Sequence, residues 1–110
     1  MIERILQAER ALSVGQLDQA ERLFRQAAEL DPRNSMAVVG LARVALERAD
    51  DRGALNLARQ ALAIDPDNAA ARRLAERLEE VVRYRGEAPF EAPTPAPRRR
   101  SVLDRLLGRG

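Results

Sequence analysis

Asp31-Pro32-Arg33-Asn34 and Asp65-Pro66-Asp67-Asn68 are one short pattern written twice, 34 residues apart. The same offset relates Ala20 to Ala54 and Ala27 to Ala61, and an apolar residue precedes the Asp each time, Leu30 in one copy and Ile64 in the other. Proline lacks an amide hydrogen and clashes with the preceding turn, so it ends a helix. Asn34, or Ser35 after it, can accept the free amides at the next helix start. One helix therefore stops and another begins at the same place in each copy. A fixed period of this size means stacked supersecondary units, each unable to bury its apolar face alone. Such units present surface to other chains, which favours binding over chemistry.

Helices follow outward from these two corners. Ile2, Ile5, Leu6 and Leu12, with Ala8 and Ala11 beside them, predict a helix over 2–14. Gly15 ends it by accepting a left-handed backbone. Leu17, Ala20, Leu23, Phe24, Ala27 and Leu30 form the stripe of a second helix, about 18–30. In the third, about 35–48, Val38, Leu41, Ala42 and Ala45 share a face, with Val39 and Leu46 toward another. Asp50 caps a fourth over about 52–64, with Ala54, Leu57, Ala58, Ala61 and Ile64 inward. A fifth, about 69–83, sets Leu74, Leu78, Val81 and Val82 against a strongly charged side. The expected fold is all-α: repeats at 1–34 and 35–68, closed by a capping helix at 69–84, together a domain over 1–84.

Composition narrows the chemistry. In 110 residues, 45% are apolar but only 3% aromatic, so the core is built from Leu, Ile, Val and Ala. There is no Cys and no His. That excludes disulfides, zinc–thiolate sites and thiol nucleophiles, and removes the commonest general base and metal ligand. Neighbouring carboxylates such as Asp50-Asp51 and Glu79-Glu80 point apart on a helix, and no Gly-rich phosphate loop is present. No enzyme, catalytic residue, metal or cofactor is expected. Met1-Ile2-Glu3-Arg4 is charged rather than leader-like, and no apolar run approaches membrane-spanning length, so the expectation is a soluble, cytoplasmic protein. Every basic residue is Arg, which fits a GC-rich bacterial genome and makes the high pI weak support for nucleic-acid binding.

Charge is uneven. Residues 1–84 hold 13 Arg against 14 acids; residues 85–110 hold 6 Arg against 3 acids. Residues 85–97 read as a Pro-rich, extended linker. Beyond it, 98–110 reads as a basic amphipathic tail, with Arg98, Arg99 and Arg100 before Val102, Leu103, Leu106 and Leu107. Such a short helix does not hold by itself in water. It is expected to order against a protein groove, this chain's own included, or against an anionic membrane surface or nucleic acid, or to have no specific role.

The first two units resemble tetratricopeptide repeats, on Ala8, Gly15, Ala20, Phe24, Ala27 and Pro32 in one and Leu41, Ala42, Ala54, Ala61 and Pro66 in the next. The family's aromatics are missing at Arg4, Ala11, Val38 and Ala45. Ala58 stands where Phe24 stood and Ala49 where Gly15 stood, so side-chain volume is redistributed between facing helices. The resemblance implies a superhelical curl whose first helices line a peptide-binding groove. Carried over position by position, the lining is Ile2, Ile5, Leu6, Glu9, Leu12 and Ser13, then Met36, Val39, Gly40, Arg43, Leu46 and Glu47, then Arg73, Leu74 and Arg77. Some family members clamp a carboxylate with Lys and Asn; Ile5 and Glu9 occupy the matching first-unit positions, so that full clamp is absent.

The apolar members of this lining exceed what two small units need for a core, which marks a partner-binding or self-associating face, with plain core as the alternative. Arg43, Arg73 and Arg77 either orient a partner's carboxylates or form a solvated face. The resulting expectation is a protein-interaction module, an adaptor, scaffold or assembly factor, taking an apolar amphipathic segment. The alternatives are a homodimer and a membrane- or nucleic-acid-tethered scaffold. Asp at Ile5 or Val39 is expected to abolish binding and spare the fold.

Overall fold

A computed structural model of the chain describes residues 2–87. The Pro-rich segment from 88 onward and the whole 98–110 tail, with every contact expected of them, lie outside the described residues. The chain divides after Leu78. The first unit is Met1–Leu78; of the second, residues 79–87 are described.

Five α-helices follow one another: α1 (Ile2–Ser13), α2 (Leu17–Leu30), α3 (Ser35–Glu47), α4 (Asp51–Ile64) and α5 (Ala69–Glu87). The described residues contain no strand. α1 packs on α2 and α3 on α4 as hairpins, α2 packs on α3, and α1 touches α3. This is the expected pair of helical units followed by one further helix.

The two corners turn on the same bonds. After α2, the Asp31 amide donates to the Ala27 carbonyl at 3.0 Å, and the Asn34 amide donates to the Asp31 carbonyl at 3.0 Å. After α4, Asp65 donates to Ala61 at 2.9 Å and Asn68 to Asp65 at 3.1 Å. The Asp side chains close matching turns, accepting from Arg33 at 3.1 Å and from Asp67 at 3.0 Å. Asn34 then caps α3, accepting from Met36 and Ala37 at 3.1 and 3.3 Å, and Asn68 caps α5 through Ala71 at 3.0 Å. Asn68 has a further duty. Its amide nitrogen donates to the Ser35 hydroxyl at 2.9 Å, tying the second corner back to the start of α3.

The turns inside the hairpins also match. Gly15 sits at φ +82° and Ala49 at φ +64°. Gly15 and Ala49 donate to Leu12 and Leu46, and Gln16 and Asp50 reach back to Ala11 and Ala45. These are the paired bonds that close a helix end through a left-handed residue. Alanine pays a steric penalty in that conformation that glycine does not.

Buried clusters of small and aliphatic side chains hold the first unit together. Ile5, Ala8, Ala11 and Leu12 meet Ala20, Phe24 and Ala27, joined from α3 by Ala37 and Val44. Val38, Val39, Ala61 and Ala71 form the next, with Leu57, Leu62 and Ile64 at its edge. Alanine dominates because it lets helix backbones approach closely. One close approach is at Gly40, where a β-carbon would lie 2.3 Å from the Phe24 ring. Gly40 therefore belongs beneath Phe24, inside the fold, and not to the groove lining expected of it.

The ends of the stack carry different chemistry from its middle. α3 meets the first hairpin through Ala37, Leu41 and Val44. The same positions on α1 are Glu3, Gln7 and Arg10, all exposed. On α5, the positions equivalent to core Ala8 and Ala42 and to buried Ile5 and Val39 are Glu76 and Arg73, also exposed. α5 runs to Glu87 rather than stopping near Arg83, since Tyr84 and Arg85 are tolerated in a helix and Gly86 costs only about 1 kcal/mol there. In the second unit, Val81 and Val82 are half-buried and Tyr84 is exposed.

Candidate functional site

A 34-residue period places equivalent positions of α1, α3 and α5 in rows across one face. One row is Ile2, Met36 and Ala70. Another is Glu9, Arg43 and Arg77. Between them run Ile5, Val39 and Arg73, and Leu6, Gly40 and Leu74. The face is therefore apolar at the start of its helices and charged farther along them. Its charge turns from acidic on α1 to basic on α5.

A cleft of about 250 Å³ opens on this face, lined by Val39, Arg43, Ala70, Arg73, Leu74 and Arg77. A neighbouring depression is lined by Leu12, Ser13, Gly15, Arg43, Leu46, Glu47, Leu74 and Arg77. Arg43, Leu74 and Arg77 border both, so the two form one continuous surface from α1 to α5. Its floor is aliphatic; guanidinium groups rim the cleft, and the Glu47 carboxylate joins Arg43 and Arg77 around the depression.

The rim charges are not equivalent. Arg43 Nη1 donates to Glu9 Oε1 at 3.1 Å, across the gap between α3 and α1. Arg73 and Arg77, one helical turn apart, make no ion pair with any described residue. A separate network lies toward the start of α2. Arg48, just past α3, bonds Asp18 and, at 2.7 Å, Glu21, which also pairs with Arg25. The Arg48 hydrogen bond, aided by Arg25, holds the Glu21 carboxyl below its ordinary value, and the same bond raises Arg48. These charges are satisfied within the fold and join α2 to the end of α3.

The expected lining residues divide by depth. Ile2, Leu6 and Met36 are 69%, 52% and 57% exposed. Leu12 and Val39 are buried, each with an edge showing in the depression or the cleft, and Leu46 is half-buried. Ile5, at 4% exposure, is a core residue between α1 and α2 and is not available to a partner. Asp at Ile5 or Val39 would strand a carboxylate in the core and unfold the domain, so neither substitution separates binding from folding. Glu9, Arg43, Arg73 and Arg77 all stand at the surface. Ala70 was missed in the sequence, although it lies one period after Met36. No described helix is long and apolar enough to cross a membrane.

A family model described as tetratricopeptide repeat matches residues 11–78. No curated protein matches the sequence.

Proposed function

Since the chain belongs to the tetratricopeptide repeat family, whose repeats generally mediate protein–protein interaction, we propose that its α1–α3–α5 face docks an amphipathic segment of a partner protein. The observation that carries this reading is the continuous cleft and depression, with an aliphatic floor, three arginines around the cleft and three large apolar side chains left in solvent on the same face. Ile2, Leu6 and Met36 cost free energy while wet, and a partner's apolar residues covering them supply affinity. The charged row then sets the orientation, because a guanidinium binds a carboxylate in a fixed plane. In this reading the protein is an adaptor or assembly factor, and Met36 and Leu6 take the contact role that Ile5 cannot.

A photo-crosslinking residue at position 36 tests this in the native cell, with position 60 on α4 as control. A discrete adduct from position 36, absent from position 60, is the expected result. Adducts of equal yield from both positions would remove the α1–α3–α5 face as the docking surface. An adduct of twice the chain mass would identify the occupant as a second copy.

A further inference from the structure

We propose that the occupant of this face is an acidic amphipathic segment whose carboxylates seat on Arg73 and Arg77, and that Glu9 competes internally for the remaining guanidinium, Arg43. The proposal rests on the docking reading above and adds the partner's charge and direction to it. Six residues line the cleft: three are Arg, three are aliphatic, and none is acidic. Arg73 and Arg77 are like charges one turn apart; Glu76 and Glu80 lie within a turn of them on the same helix but do not line the cleft, where a partner's carboxylate would meet both guanidiniums. Each presents a planar donor fork suited to a carboxylate. Val39, Ala70 and Leu74 beside them exclude water on one side, which strengthens the attraction relative to open solvent.

Glu9 breaks the symmetry of the row. Its carboxylate already holds Arg43 at 3.1 Å, and its own charge repels an acid arriving at the α1 end. The partner's carboxylates are therefore directed to α5, while its aliphatic residues reach back over Leu74 toward Met36. A basic occupant is disfavoured by the same charges. That includes this chain's own 98–110 segment, in which Arg98, Arg99, Arg100, Arg105 and Arg109 face a single acid, Asp104.

The test uses the full chain and three fluorescent peptides: one of Leu and Glu in amphipathic order, one with Lys replacing Glu, and one with the sequence of residues 98–110. Fluorescence anisotropy reads affinity. The Leu/Glu peptide should bind about tenfold or more tightly than the Leu/Lys peptide, and that margin should shrink with added salt. Arg73→Gln and Arg77→Gln, both at exposed positions, should each weaken it about tenfold. Glu9→Gln should tighten it about threefold by releasing Arg43, the opposite sign to the arginine variants. Circular dichroism confirms that each variant is folded. Equal binding of the Leu/Glu and Leu/Lys peptides would overturn the charge assignment while leaving a docking face. Preference for the 98–110 peptide, weakening by Glu9→Gln, or no binding by any peptide would overturn the proposal. Loss of the position-36 adduct as well would take the docking reading with it.

Discussion

The corner after α2 and the corner after α4 make the same turn hydrogen bonds, yet the helices on either side of them are filled in opposite ways. At the first interface a large ring, Phe24, lies over Gly40. One period later, the equivalent positions are Ala58 and Leu74, so the small residue is on the outgoing helix and the large one on the incoming helix. All four are buried. The repeat thus keeps a backbone corner and exchanges side-chain volume between equivalent buried positions. Backbone groups must be satisfied in one geometry, whereas a core accepts any pair of the right summed volume.

The comparison breaks most sharply at Phe24. Phe24→Ala should cost about 4 kcal/mol in urea unfolding, because nothing fills the space over Gly40. Adding Gly40→Leu rewrites the first interface in the Ala/Leu pattern of the second, and part of the loss should return. If none returns, the two interfaces are not interchangeable. Gly40→Ala by itself should cost about 3 kcal/mol, because the fully buried Phe24 ring has nowhere to move.

The corners themselves differ at their asparagines. Asn34→Ala removes a helix cap and should cost about 1 kcal/mol. Asn68→Ala removes a cap and also leaves the Ser35 hydroxyl without its partner, so about 2 kcal/mol is expected. Equal losses would show that the Ser35 bond adds nothing to stability. Inside the hairpins, Ala49→Gly should raise stability by about 1 kcal/mol by relieving the left-handed alanine, and Gly15→Ala should lower it by about as much. Opposite signs at equivalent turns would confirm that the two differ in side chain rather than backbone.

The smallest effect concerns the network at the start of α2. The Glu21 carboxyl lies below its ordinary value of 4.5 in the folded chain. Its contribution is therefore fully present above that value and is lost as pH falls through the lowered one. Glu21→Gln should lower stability by less than about 1 kcal/mol near neutrality. The difference from the parent chain should vanish on acidification below the folded value. A difference that persists there would assign the effect to packing.

The corners were legible because Pro and Asn act on their own neighbours, at any depth in the fold. The Asp31 and Asp65 side-chain turns follow the same local rule, each accepting from the amide two residues on. Depth was harder. Ile5 and Leu6 are adjacent on the same apolar stripe, yet one is core and the other solvent-facing. A period of 3.6 finds the stripe but not its rim, which depends on where the next helix stands. Gly40 was placed in the groove for the same reason, because only the opposing Phe24 ring reveals why no side chain fits there. The Glu9–Arg43 pair spans one full period, so the repeat register predicts their proximity, while the bond itself depends on side-chain reach.

The wet outer side of α1 has a practical meaning for anyone wishing to lengthen this protein. A duplicate of residues 35–68 spliced in after Asn68 would find alanine and leucine waiting on both flanks. The same duplicate fused ahead of Ile2 would be asked to rest on Glu3, Gln7 and Arg10, and growth in that direction would stall at the first joint.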